Sequence, residues 1–378
     1  MHTQAITIMV GADTVPTPSN EALLRSEDGA QVFGDLAEAF RRSDLNIINL
    51  ECPLTTAERP IEKFGPAFKA HPETAVGLKA AGISVCALAN NHILDYGEQG
   101  LLDTIDALNR HGLAWFGAGR DIGEARRIKY IELRGKRIAL IAAAEQEFSN
   151  ATIASGGANP FDVFHTMDDI EEARGQADAV IVFYHGGKEQ CRYPSPRLQR
   201  VCRRMVDSGA DYVICQHSHC IGSYERHREG HIVYGQGNLL FDYKSDHPHW
   251  QEGLLLELGI RECEAPALQF IPVVKDGHKV RLADPEEAAG ILEAFHSRSA
   301  EIQDPAVARQ RFQAFCEEEK VSYFSGLSQL PGVVRKIDRK LLNDWIVRKI
   351  FTHRRRRRLH HYMKCEAHHD VMDMILQK

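Results

Sequence analysis

The sequence predicts an α/β domain followed by a helical appendage. Three observations carry that expectation. Between residue 5 and about residue 280, apolar runs of strand length alternate with segments whose apolar residues recur at helical spacing. Several of the strand-like runs stop at Asp, Glu, Asn or His, the side chains that bind cations and move protons. Beyond about residue 280 only helical patterns continue. A length of 378 residues fits one large domain with an appendage, or two domains. We place the boundary at 280, giving an α/β domain over 1–280 and a helical, basic subdomain over 281–378.

In chain order, Ala5 to Val10 is the first strand, and Gly11, Ala12 and Asp13 follow it. Asp35 to Arg42 is helical. Leu45 to Leu50 is a strand ending at Glu51, and Glu73 to Ala81 is a helix leading into the strand Ile83 to Leu88. The polar loop Ala89 to Glu98 then presents Asn90, Asn91, His92 and Asp95. After it, Gln99 to Arg110 places Leu101, Leu102, Ile105 and Leu108 on one helical face. Lys129 to Leu133 and Arg137 to Ala144 form two strands around the Arg134-Gly135-Lys136 turn, and Ser149 to Pro160 is a loop. Ala179 to Tyr184 stops at His185. The helix Arg197 to Ser208 precedes Tyr212 to Cys215, which stops at Gln216 and His217. Ile232 to Tyr234 leads to Gly235, Gly237 and Asn238, and Leu254 to Leu258 and Leu268 to Val274 complete the strands. Asp284-Pro285 and Asp304-Pro305 each set an N-cap acceptor before a proline at the first helical position. Val334, Ile337, Leu341, Trp345 and Ile346 then make an apolar stripe.

The net charge of −6 conceals an asymmetry. From Val333 to Lys378 there are 13 Lys/Arg against 5 Asp/Glu, a balance of +8, which leaves −14 on the rest of the chain. No window approaches the roughly 18 consecutive apolar residues of a membrane span, and the N-terminus shows no secretory pattern. Nine cysteines, with no CxxC spacing, read as free thiols in a reducing compartment. We therefore expect a cytoplasmic protein. Cys215 and Cys220 flank His217 and His219, and packed thiols are the reading preferred for both.

Asp13, Glu51, Asn91 with His92, His185, and His217 with His219 each follow an apolar run. If those runs share a mostly parallel sheet, their side chains converge on its carboxyl edge, where α/β proteins bind ligands. Two carboxylates, an amide and three imidazoles form a mixed nitrogen and oxygen set that favours Mn, Zn or Fe.

These residues resemble the CapA family, the capsule or poly-gamma-glutamate synthesis proteins within the calcineurin-like metallophosphoesterase superfamily. The matching segments are GADTVPT (11–17), NLECPLT (49–55), FKAHPE (68–73) and ANNHILDYGEQGLLDTIDAL (89–108). To these add GAGRDIGEA (117–125), HGGKE (185–189), GADYVICQHSH (209–219) and YGQGNLLFD (234–242). The resemblance covers about residues 5 to 260 and implies a four-layer α/β/β/α sandwich. It implies that Asp13 and His219 bind a first cation, that Glu51 bridges two, and that Asn91, His185 and His217 bind a second. His92 is then the general acid, oriented by Asp95. Val15 stands where superfamily phosphatases carry a ligand His, and Glu51 where they carry Asp. Gly186, Gln216 and Leu239 replace the family's usual Trp, Gly and Phe.

Asp95 also fits a simple turn or N-cap role, Asn238 fits a turn, and Glu189 either orients His185 or is solvated. The run Arg354 to Arg358 has three readings, ordered as an intramolecular or oligomer contact, an anionic membrane surface, and nucleic acid, which lacks any recognised module here. Two functions follow. One is a metal-dependent hydrolase acting on a phosphoester or polymer linkage, with an anionic or phosphorylated substrate such as an acidic polymer and two divalent cations. The other is a non-catalytic accessory protein that binds such a polymer or scaffolds its synthase.

Overall fold

Alternation along the strands decides how this chain stacks. In the computed structural model, which describes residues 6–243, 247–260 and 266–376, the strands run in chain order as follows. The first eight are β1 (Ile6–Thr14), β2 (Leu45–Leu50), β3 (Val85–Ala87), β4 (Ala114–Phe116), β5 (Ala118–Gly119), β6 (Lys129–Leu133), β7 (Lys136–Ala144) and β8 (Gly157–Ala158). The rest are β9 (Ala179–His185), β10 (Tyr212–Gln216), β11 (Tyr224–His227), β12 (Gly230–Val233), β13 (Asn238–Leu240), β14 (Glu252–Ile260), β15 (Ala267–Asp276) and β16 (Lys279–Leu282). One sheet has the order β16-β15-β14-β1-β2-β3-β4, with β13 also paired to β1; a second has the order β11-β12-β10-β9-β7-β6.

On β7, Ile138, Leu140, Ala142 and Ala144 belong to the large core, whereas Ala139, Ile141 and Ala143 belong to a second one. The first set therefore faces the other sheet, and Phe116 on β4 meets Phe183 on β9 edge to face at 5.4 Å. The second set faces the helices Val163–Gln176 and Pro196–Asp207, through Met167, Ile170, Cys202 and Met205. Leu36, Phe40, Leu78, Leu101, Ile105 and Leu108 supply the corresponding helical cover of the first sheet. The layers are α/β/β/α.

The sheets are mixed rather than one mostly parallel sheet. β1 to β4 are parallel neighbours, as are β7, β9, β10 and β12, while β14, β15 and β16 add antiparallel edges. The carboxyl ends of two parallel cores thus face one another. β1 runs four residues past its expected end, so Asp13 lies within the strand. Ala5, expected to open β1, and Cys263 lie outside the described residues. The eight described cysteines are free thiols, and Cys202 and Cys215 lie 3.6 Å apart, sulfur to sulfur.

The chain divides into two compact units, one running to Arg309 and one from Gln310 onward, compared with the boundary expected at 280. The reason is the helix Pro285–Glu301. It starts with a capping box, in which Asp284 accepts from Glu286 N and Glu287 N while Glu287 accepts from Asp284 N. Its Phe295 is fully buried, with its ring 4.7 Å from that of Phe270 on β15. The second unit is helical. Asn343 and Asp344 adopt positive φ (49° and 59°) and split the expected stripe between the helices Gly332–Leu341 and Trp345–Ile350. Buried Asp338 joins these two helices by accepting from Ile346 N and Val347 N. Leu341 and Trp345 are exposed (77% and 57%). No helix among the described residues is long and apolar enough to cross a membrane.

Replacing Phe295 by Ala should lower the unfolding free energy by about 3–5 kcal/mol, the usual loss for an aromatic core truncation. Chemical denaturation followed by circular dichroism checks this.

Candidate metal centre

Strand register puts polar side chains in a row across the first sheet. Asp13 is paired to Asn49 on β2 and to Asn238 on β13, and all three are buried. Two residues beyond Asn49, on the same face by alternation, Glu51 leaves the end of β2. On the second sheet His185 ends β9 opposite Gln216 of β10, and the chain then turns through His217, Ser218 and His219. His217 and His219 hold positive φ (86° and 49°), a conformation that costs a non-glycine residue about 1–3 kcal/mol and that clusters at functional sites.

The facing edges bring these side chains together. Asp13, Glu51 and His219 offer ligand atoms within 4.8 Å of one another, and so do Glu51, His185 and His217. Glu51 belongs to both groups. Its Oε1 lies 3.2 Å from His185 Nε2 and 3.9 Å from His219 Nε2. Asn91 Oδ1 is 2.9 Å from the same His185 nitrogen. His217 donates its backbone N–H to Asp13 Oδ2 at 3.0 Å, and its Nε2 is 3.6 Å from Glu147 Oε1. All six residues expected as cation ligands therefore lie in one cluster.

The donor set fits a cation. Glu51 is fully buried, yet neither of its carboxylate oxygens has a hydrogen-bond donor, and His217 Nδ1 also has no partner. Leaving a buried carboxylate without donors or a counter-charge is costly. Protonation of the neighbouring imidazoles covers part of that cost. Burial works against charge on His219, but Glu51 and Asp13 override it and push its pKa up to about 9. His185 moves upward for the same reason, with burial opposed by the charge of Glu51. Burial, reinforced by His185 and His219, drives His217 well below its ordinary value. Burial also raises Asp13, but its hydrogen bond and charge interaction with His219 leave the net shift downward.

His92 and Asp95 stand beside the cluster. His92 Nδ1 is 2.7 Å from Asp95 Oδ2, and the ring's Nε2 takes no part in that contact. Asp95 is more than a turn residue: it also accepts from Phe68 N at 2.7 Å and from Lys63 Nζ. The ring of Phe68 lies 4.8 Å from that of His92.

Sequence reasoning missed four contributors. Asn49 donates to Asp13 Oδ1 at 2.8 Å and lies 3.2 Å from His185 Nδ1; a buried Asn on the same strand face as Glu51 was the available signal. Asn238, read as a turn residue, is in β13 with Oδ1 2.9 Å from His219 Nδ1. Lys63 and Glu147 lie on irregular segments, and no pattern announces them. Glu189, left open, is exposed and has a carboxylate oxygen in a ligand-sized group with His217 and His219. Val15 is 1% exposed and packs in the core, offering no donor.

The fold and this cluster define a two-sheet α/β sandwich with carboxylate and imidazole ligands at the facing carboxyl edges. Residues 7–243 match the family described as "Bacterial capsule synthesis protein PGA_cap". The chain belongs to this family. It is 29% identical over 253 residues to the capsule biosynthesis protein CapA of Bacillus anthracis, covering 64% of this chain and 61% of that protein. With the PGA biosynthesis protein CapA of Bacillus subtilis (strain 168) it shares 29% over 231 residues, 59% of this chain and 60% of the relative. The chain thus spans about three fifths of the length of these curated relatives. Among solved structures, NAD nucleotidase of Haemophilus influenzae aligns with a TM-score of 0.43 and 12% identity, over 84% of this chain and 60% of that one. A hypothetical protein from Thermus thermophilus aligns with a TM-score of 0.45 and 14% identity, over 70% and 99%.

Asn49 links both strands of the row and the opposite sheet. Asn49→Leu should cost about 1–3 kcal/mol, the penalty of leaving a buried acceptor on Asp13 unmade. Equilibrium denaturation of chelator-treated protein measures it, so that bound metal does not mask the loss.

Proposed function

We propose that the chain is a metal-dependent hydrolase of the metallophosphoesterase type, acting on a phosphoester or polymer linkage in the synthesis of an anionic capsule polymer of the poly-gamma-glutamate kind. The observation that carries this reading is the buried Glu51 carboxylate, free of donors and shared between two ligand groups. Asp13, Glu51 and His219 would hold one divalent cation, and Glu51, Asn91, His185 and His217 a second, with Mn, Zn or Fe suited to the mixed donors. Such a pair would supply an activated water and would stabilise the charge that develops on the phosphoryl or carbonyl oxygen of the linkage under attack.

The chain's own residues do the remainder. Asp95 Oδ2 at 2.7 Å and Lys63 Nζ at 3.1 Å both meet His92 at Nδ1, which fixes the ring and leaves Nε2 pointing away from the carboxylate. A proton on Nε2 can then pass to the leaving oxygen. Lys63 satisfies the other oxygen of Asp95, and the Phe68 ring limits the tilt of the imidazole. Asn238 turns His219 so that Nε2 faces Glu51. A cytoplasmic location, and a membrane or intramolecular partner for Arg354 to Arg358, belong to this proposal as well.

Val15 favours a second reading, an accessory protein that binds the polymer without chemistry, because the position offers no ligand. A relative from Mycobacterium tuberculosis (strain CDC 1551 / Oshkosh), 29% identical over 215 residues, carries the description "Probable polyglutamine synthesis accessory protein".

Two measurements separate the readings. Manganese or zinc at about 100 times its Kd should add about 2.7 kcal/mol to the stability of chelator-stripped protein. Glu51→Gln should abolish that gain, and loading should release protons because His219 must give one up. With metal content unchanged, His92→Ala should lower kcat on an aryl phosphate by about 10²–10⁴-fold. Turnover untouched by that substitution would sink the hydrolase reading and leave the accessory one.

A further inference from the structure

Two arginines meet one turn just beyond the histidine ligands. Arg192, on the connection after β9, donates from Nε to Ile221 O at 3.1 Å. Arg298, on the helix Pro285–Glu301, donates from Nη2 to the same oxygen at 3.3 Å and from Nε to Gly222 O at 3.0 Å. Ile221 and Gly222 follow His219 directly after Cys220. Arg192 Nη1 also lies 3.4 Å from both ring nitrogens of His249. The next residue, Trp250, has its ring 4.8 Å from that of His219.

The charges in this corner do not balance. Arg298 is 6% exposed, yet among the described residues no carboxylate lies within 4 Å of either guanidinium. Glu252 acts on both only from farther away. Burial and then Arg192 hold His249 down at about 4, so it carries no charge near neutrality. Burial and then Arg192 also lower Arg298, to about 10. Two cations side by side, one of them buried, are unfavourable unless an anion accompanies them. Clamping the turn does not explain the pair, because Arg298 alone reaches both carbonyls. A guanidinium has five N–H donors, and Arg298 spends two on the turn. Three are left without an acceptor among the described residues.

We propose that Arg192, Arg298 and His249 form an oxyanion-binding subsite beside the candidate metal centre, which takes a carboxylate or phosphate group. Planar guanidinium forks suit either group by paired hydrogen bonds, and a neutral imidazole adds a further donor. Arg298 and His249 lie outside the residues 7–243 that match the family, and the helix Pro285–Glu301 carries Arg298 to the turn. Its service to a substrate held at the metal centre rests on the hydrolase reading. Its affinity for an oxyanion does not.

Calorimetric titration of the chelator-stripped full chain at low salt tests this, with inorganic phosphate and triglutamate as separate probes. At least one should bind with a stoichiometry of one, and Arg192→Gln and Arg298→Gln should each weaken it at least tenfold. Binding of phosphate alone identifies a phosphoryl subsite, and binding of triglutamate alone a carboxylate subsite. Circular dichroism checks that each variant folds; Arg192→Gln, which gives up a single backbone bond, keeps the test decisive if Arg298→Gln does not. Failure of both probes to bind, or equal binding by the wild type and a folded variant, overturns the proposal. Because no turnover is read and no metal is present, the result is independent of whether the chain is a hydrolase.

Discussion

Glu51 sits where two sheets meet, ionisable and sealed from water, with no hydrogen-bond donor on either oxygen. A bare carboxylate in that position is a liability that only nearby positive charge relieves. The surrounding residues answer to it. His185 and His219 are biased toward protonation, and their protons stand in for the charge of a cation. Asn49 and Asn90 form a scaffold behind the cluster, with Asn90 Nδ2 reaching Asn49 Oδ1 at 3.2 Å and Leu50 O at 2.8 Å. The positive φ of His217 and His219 is strain of the kind a binding site keeps when regular backbone would aim the rings elsewhere.

This arrangement depends on layer order. A single parallel sheet would line its ligands along one edge. Here the first sheet supplies Asp13, Glu51 and Asn91, and the second supplies His185, His217 and His219. Packing between the sheets therefore sets the distance between carboxylates and imidazoles. Phe116 against Phe183, and Tyr212 Oη on Gly259 O and Ala267 O, hold that spacing. Interiors of this density do not deform freely, so the core and the site are mechanically one object.

The site was legible in the sequence to the extent that it obeys strand periodicity. Each ligand follows an apolar run, and a parallel strand surrounded by helices delivers the residue after it to a common edge. Residues whose placement depends on tertiary contact were not legible. Lys63 reaches Asp95 from 32 positions away, and Glu147 approaches His217 from a segment with no periodicity. Asn238 looked like a turn because glycines precede it, but β1 recruits it as a paired strand residue. The boundary expected at 280 followed the change from strands to helices. The structural division lies after Arg309 instead, because burial of Phe295, rather than secondary-structure type, decides which unit the first of those helices joins.

That helix also shapes the corner beside His219. Its capping box and buried Phe295 fix it against β15, and the same rigid segment then delivers Arg298 to the turn after His219. Ser299, one residue on, accepts from Tyr224 N at 2.9 Å, so the helix is held to β11 as well as to β15. A cation carried into a buried corner needs a rigid carrier, because a flexible one would swing the guanidinium out to water instead. The packing that makes this helix part of the first unit is therefore the same packing that keeps an unbalanced positive charge a few residues from the candidate metal centre.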